Sequence, residues 1–189
     1  MVQSQGRRVS LIESKRLTLR RLEFGDAEFI LGLLNQESFI RHIGDKGVRD
    51  LAGARDYIAK GPIESYRRFG FGLYLTSLRE AGLPIGICGL VKREALEDVD
   101  IGFAFLPQYG RMGYATESAA AVLDYGKRVL GLQRIVGIVS PENLASIAVL
   151  EKIGLQFEGM VTLAPDARAL MLFGPGGATS RADAPLKRI

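Results

Sequence analysis

Two stretches of the chain hold residue types at spacings from which chemistry can be built. The first is Leu106-Pro107-Gln108-Tyr109-Gly110-Arg111-Met112-Gly113-Tyr114-Ala115-Thr116-Glu117. Pro107 halts the hydrogen bonding of a preceding strand, and the two glycines permit tight backbone angles before a helix begins. The first N–H groups of a helix lack internal partners, so the junction offers oriented amides and a helix dipole to an anion. Arg111 can add a charge-assisted contact to a phosphate. A plain glycine turn accounts for the same residues without any ligand. Neither the G-x-x-x-x-G-K-[ST] nor the G-x-G-x-x-G spacing occurs, which removes two phosphate-binding classes. The second stretch, Pro141-Glu142-Asn143-Leu144-Ala145-Ser146, leads into Glu151-Lys152-Ile153-Gly154-Leu155. Asn143 is suited to cap a helix that Gly154 stops.

The elements that must position these stretches alternate between strand and helix, without repeats. Residues 17–20 alternate apolar and polar as a half-buried strand does. Helical patches follow near 27–34 and 51–59, the second ended by Gly61-Pro62. Residues 71–78 and 85–91 read as a hairpin across the Gly- and Pro-containing turn 79–84. A third strand over 99–106 puts Val99, Ile101, Phe103 and Phe105 on one face and Asp100, Gly102 and Ala104 on the other. Those small residues allow close approach to its backbone. A helix over 113–130 buries Ala119, Val122, Leu123, Gly126 and Leu130 along one stripe. The β-branched strand 135–139 after it suggests parallel pairing. A second helix runs from Asn143 to Ile153, and 157–163 with 169–173 form a closing hairpin. The expected division is a flexible segment 1–9, one domain over 10–173 and a disordered tail over 174–189.

Composition narrows the class. The chain has 189 residues, 47% hydrophobic and 24% charged, the profile of one globular domain. One cysteine, Cys88, excludes an internal disulfide and suits a reducing cytoplasm. Placed mid-strand, it reads as a buried structural thiol. No apolar run approaches the ~20 residues that span a bilayer, and residues 1–8 carry no signal-peptide pattern. Net charge is +4, from 25 Lys and Arg against 21 Asp and Glu, and the basic residues are scattered rather than striped. No nucleic-acid or membrane partner is expected. No His/Cys cluster has metal spacing, so no metal is expected.

Taken together, Leu106-Pro107, Gly113-Tyr114-Ala115-Thr116-Glu117, Pro141-Glu142-Asn143 with Ser146, and Glu151-Lys152-Ile153-Gly154 resemble the GNAT acetyltransferases. Within that family they are most similar to the branch containing the ribosomal-protein N-terminal (RimJ/RimL-like) acetyltransferases. Glu13-Ser14-Lys15-Arg16-Leu17-Thr18-Leu19-Arg20 resembles the first strand of that branch. The resemblance implies an α/β (α+β) GNAT fold: a central twisted, mostly antiparallel mixed sheet, splayed at the cofactor site and flanked by helices.

It also implies an acetyl-CoA-dependent N-acetyltransferase. Phe103, Ala104, Phe105 and Leu106 match the strand beside the pantetheine arm and thioester carbonyl. Arg111, Met112, Gly113, Tyr114, Ala115 and Thr116 match the pyrophosphate loop and helix start. Asn143 and Ser146 match positions beside the thioester and the cofactor amides. Pantetheine, with two amides, behaves like a short extra strand, and a backbone N–H aimed at the thioester oxygen would stabilise an oxyanion.

Two departures stand out. Gly110-Arg111 replaces a common Trp-Gly, and Leu150 stands where many GNAT enzymes carry a Tyr that protonates the leaving thiolate. Ser146 is the branch's substitute. For the general base, Asp100 matches a carboxylate that in some relatives acts through water, while a strand-end carboxylate exposed beside Asp98 is the alternative. Glu117 reads as a helix-stabilising carboxylate in the first turn. His42, between two helical patches, and Arg41 and Tyr66 are further acceptor-side candidates.

The implied partners are acetyl-CoA as co-substrate and an amine acceptor, either a protein N-terminus or a small amine, with the protein a cytoplasmic monomer or homodimer. Alternatives from other classes are a non-catalytic acyl-CoA-binding regulatory domain and a nucleotide-binding module. The nucleotide reading lacks a ribose-binding acidic residue at dinucleotide spacing.

Overall fold

The computed structural model describes residues 10–165 and 167–176. The expected flexible segment 1–9 lies outside the described residues, as does the expected tail beyond 176. Gly174, assigned above to that tail, instead ends the last strand.

Eight strands form one sheet in the order β1-β2-β3-β4-β5-β6-β8-β7. They are β1 (Ile12–Glu13), β2 (Leu17–Arg21), β3 (Leu73–Leu78), β4 (Pro84–Val91), β5 (Val99–Phe105), β6 (Ile135–Val139), β7 (Gln156–Val161) and β8 (Leu170–Gly174). The helices are α1 (Ala27–Leu34), α2 (Glu37–His42), α3 (Leu51–Ile58), α4 (Glu64–Phe69), α5 (Tyr114–Arg128) and α6 (Leu144–Lys152). All pairings are antiparallel except β5 with β6. No described helix is long and apolar enough to cross a membrane.

Strand alternation divides the core in two. Val99, Ile101, Phe103 and Phe105 of β5 join Tyr74, Cys88 and Leu90 against α5, through Ala119, Val122 and Leu123. Ala104, from the opposite face of β5, joins Leu75 and Ile87 against α1 and α3, through Ile30, Leu33, Ala54 and Ile58. Cys88 is fully buried, and burial pushes its thiol up to about 12, in keeping with the structural role expected of it.

Two local expectations are corrected. Gly61-Pro62 does not end the helix: after Ile58 the chain widens into a π turn, Ala59–Ile63, and continues directly into α4. A π turn dispenses with the usual i→i−4 bond, which accommodates the N–H that Pro62 lacks. His42 does not lie between helices; it is the last residue of the six-residue helix α2.

Candidate active site

The parallel pairing of β5 with β6 is short. Only Val99↔Ile135 and Asp100↔Val136 are in register, after which the strands diverge and β6 pairs on its other side with β8. From Ile101 to Phe105, β5 is paired with β4 alone. The main-chain groups on its other edge therefore face an opening, as expected from the sequence. The closed end of the V is tied by Arg134. Its Nε donates to Asp98 Oδ2 at 2.8 Å, and its guanidinium also pairs with Glu158 of β7.

At the open end the chain runs from β5 through a 3-10 turn, Pro107–Tyr109, into the glycine loop and α5. Arg111 has φ 60° and Gly113 has φ 79°. Left-handed residues in a turn direct neighbouring N–H groups toward a common side, as in anion-binding concavities. Holding a non-glycine residue such as Arg111 there costs conformational energy. The N–H groups of residues 111–116 donate to no described residue, and the first intrahelical bond is from Glu117 N to Gly113 O.

This loop is braced from the far edge of the sheet. Arg16 donates from Nε to Glu117 Oε2 at 2.6 Å and from Nη1 to the Met112 carbonyl at 3.0 Å. Its guanidinium lies 4.4 Å from the Tyr114 ring centroid. Glu117 Oε1 accepts from the Arg16 backbone N–H at 2.7 Å and from Ser14 Oγ at 2.8 Å. Burial alone would raise the Glu117 pKa. The Arg16 N–H, the Ser14 hydroxyl and the Arg16 guanidinium outweigh it, and the pKa is lowered. Glu117 is thus structural, as expected, but through a clamp between β1–β2 and α5 rather than through the helix dipole alone. Sequence reasoning missed Arg16 as part of this loop, because its partners lie about a hundred residues away. The basic residue in the Glu13–Arg20 motif was the available signal.

A cleft of about 560 Å³ passes through the splay. Of the sequence candidates, Asp100, Phe103, Ala104, Asn143 and Ser146 line it, whereas Phe105 at the end of β5, Leu106, and residues 111–116 of the adjoining loop and helix start do not. Asn143 caps α6, its Oδ1 accepting from Ser146 N at 3.1 Å. That bond orients the helix start and leaves the Ser146 hydroxyl available. Leu150 is 2% exposed and fills the space above Gly137, where a Cβ would come within 2.6 Å of its Cδ2. Glycine at 137 and leucine at 150 are a matched pair.

Asp100 is 1% exposed, so the reading of it as an exposed strand-end carboxylate is corrected. Its Oδ1 accepts from Arg93 Nε at 2.9 Å and its Oδ2 from Arg93 Nη2 at 3.3 Å. Burial raises its pKa more than the Arg93 charge and hydrogen bond lower it. The opposite wall comes from α2, α3, the π turn and α4, with His42, Lys46 and Tyr57 lining it. The other two acceptor-side candidates do not line the cleft. Tyr66 is buried, with its hydroxyl accepting from Leu22 N at 3.1 Å and donating to the Leu73 carbonyl. Arg41 pairs with Glu37 on the surface. Among the described residues no group of His, Cys, Asp and Glu is arranged to hold a metal.

Residues 16–156 match the sequence model of the acetyltransferase (GNAT) domain. An uncharacterized N-acetyltransferase, YnaD, of Bacillus subtilis is 31% identical over 148 residues, covering 78% of this chain and 84% of that one. Among solved structures, a GNAT-family acetyltransferase from Bacillus anthracis superposes with a TM-score of 0.72 at 27% identity, covering 86% of this chain and 96% of that one. RimL, a ribosomal L7/L12 alpha-N-protein acetyltransferase solved in complex with coenzyme A, shares the fold. Its TM-score is 0.74 at 19% identity, with 85% of this chain and 94% of that one covered. The chain belongs to the GNAT acetyltransferase family, and it is an acetyltransferase of the expected mixed α/β fold.

Proposed function

We propose that this protein transfers the acetyl group of acetyl-CoA to a primary amine directly, within a ternary complex. The observation that carries the reading is the unpaired edge of β5 between Ile101 and Phe105, leading straight into the partnerless N–H groups of residues 111–116. The chemistry of this surface fits the co-substrate: an open strand edge suits the amides of a pantetheine arm, and a ring of N–H groups at a helix start suits a diphosphate. Acetyl-CoA supplies, when bound, an activated acyl carbon and a thiolate leaving group.

The chain's own groups do the rest. A β5 N–H polarises the acyl oxygen. Asp100 takes the amine proton through water, its raised pKa bringing it closer to the range where a base is useful. The Ser146 hydroxyl donates a hydrogen bond to the departing sulfur. The acceptor is either a protein N-terminal amine, as in the RimJ/RimL-like branch, or a small amine.

Leu150 favours a second reading, an acyl-CoA-binding regulatory domain, because a buried aliphatic side chain in the cleft offers no proton to a thiolate. Mixing the protein with acetyl-CoA and a panel of amines and peptides, and following thiol release, separates the two. Acceptor-dependent release supports transfer. Tight coenzyme A binding without turnover on any acceptor supports the regulatory reading.

A further inference from the structure

The charges facing the cleft are strongly biased. Five cations line it, Lys46, Lys60, Arg68, Lys92 and Arg93, against two carboxylates, Glu64 and Asp100. Both carboxylates are already engaged by arginine. Asp100 is held by Arg93, and Glu64 accepts from Arg67 Nε at 2.9 Å and Nη2 at 2.7 Å. The cations are less fully neutralised. Lys92 donates to the carbonyls of Leu96 at 2.9 Å and Glu97 at 2.6 Å, which leaves its charge uncompensated. Arg68 lies 5.0 Å from the Phe69 ring centroid, and Lys60 pairs with Asp56 at the surface. Lys46 forms no hydrogen bond or ion pair with a described residue. Although Lys46 is solvent-exposed as a residue, the packing around it lowers its pKa, and the Arg93 charge adds to the lowering.

A polycation entering this cleft meets like charge and no free carboxylate among the described lining residues, a juxtaposition that disfavours its binding. An anion meets the Lys46 ammonium, whose charge no described residue answers. The amine must also be neutral to attack, and nearby cations lower an amine's pKa. A positive cleft therefore assists the nucleophile while it attracts a carboxylate elsewhere on the same molecule.

We infer that the acceptor is an amine carrying a carboxylate, a free amino acid or an acidic peptide N-terminus, with Lys46 receiving the carboxylate, and that polyamines are poor acceptors. This rests on the acetyl-transfer reading above.

The test uses the full chain with acetyl-CoA, following thiol release with glutamate, a peptide beginning Asp-Glu, a neutral amine lacking the carboxylate, and spermidine. Either carboxylate-bearing acceptor is expected to exceed the neutral amine in kcat/KM by about tenfold, the range of one hydrogen bond to a charged group. Lys46→Glu should remove that advantage, lowering kcat/KM for the carboxylate-bearing acceptors about tenfold more than for the neutral amine. Lys46→Gln should fall between. Spermidine as the best acceptor, or a Lys46→Glu loss shared equally by charged and neutral amines, would overturn the inference while leaving acetyl transfer intact. Thiol release with none of the four would overturn both.

Discussion

The two walls of the cleft are built on different principles. On the sheet side, β5 and, adjoining the cleft, the loop into α5 offer main-chain groups: an unpaired strand edge and the N–H groups of residues 111–116. On the helical side, α2 to α4 and the segments beside them offer side chains, among them His42, Lys46 and Arg68. Main-chain donors exist whatever residues carry them, so the first wall is sensitive only where a Cβ or a φ angle interferes. The second changes its chemistry with any single substitution. A family can therefore keep one wall for a common co-substrate and vary the other for the acceptor.

The substitution expected to act most strongly tests the main-chain wall. At Gly113, φ is 79°, and a Cβ would sit 3.4 Å from the Arg16 guanidinium. Gly113→Asp adds a negative charge where the diphosphate is proposed to bind, and coenzyme A affinity should fall more than about 100-fold. Gly113→Ala imposes only the left-handed strain of about 1–2 kcal/mol, about a tenfold loss by titration calorimetry. Equal losses for the two variants would mean that charge is irrelevant there and that no anion binds.

Asp100→Asn comes next. It keeps the shape of a buried group but removes the proposed base, with an expected fall of about 100-fold in kcat and little change in coenzyme A affinity. Arg93→Gln is the more discriminating partner. Without the guanidinium, burial acts on Asp100 opposed only by its backbone hydrogen bond, and its pKa rises further. The acid limb of the kcat/KM profile should then move to higher pH. An unmoved limb assigns the base elsewhere. Ser146→Ala is expected to cost about tenfold in kcat, the range of one hydrogen bond to a developing charge, and less in coenzyme A affinity. Full activity would remove Ser146 from the reaction.

The main-chain wall was readable in the sequence because its signals are local. Apolar alternation over 99–105, Pro107, the paired glycines and the stripe from Ala119 to Gly126 each act within a few residues. They correspond to β5, the turn, the loop and α5 as found. The same holds for Asn143, whose cap is made three residues away. What could not be read depends on distant partners. Asp98 and Asp100 look alike in sequence, yet one pairs with Arg134 and the other is buried against Arg93. The helical wall was obscured because α2 is six residues long and the π turn carries Gly61 and Pro62, which ordinarily punctuate a helix.

The Arg16–Glu117 clamp blurs the division, because a pair of side chains there holds the main-chain wall in place, and it supports the smallest predicted effect. Glu117→Gln retains the shape but gives up the charge that Arg16 and Ser14 satisfy. Because Arg16 is 43% exposed, solvent screening limits the expected loss to about 1 kcal/mol, a Tm lower by about 2–4 °C for a chain of this size. The sign with pH follows from the lowered Glu117 pKa. The stabilisation is complete above the ordinary carboxylate range and is lost as pH falls through the folded-state value. Melting curves of the two proteins should therefore differ near neutrality and converge in strong acid. If Arg16 also steadies the loop through the Met112 carbonyl, coenzyme A affinity should weaken slightly in the same variant. A Tm difference that persists in strong acid would show that shape rather than charge holds the clamp, and unchanged affinity beside a lowered Tm would show that the main-chain wall holds its form without it.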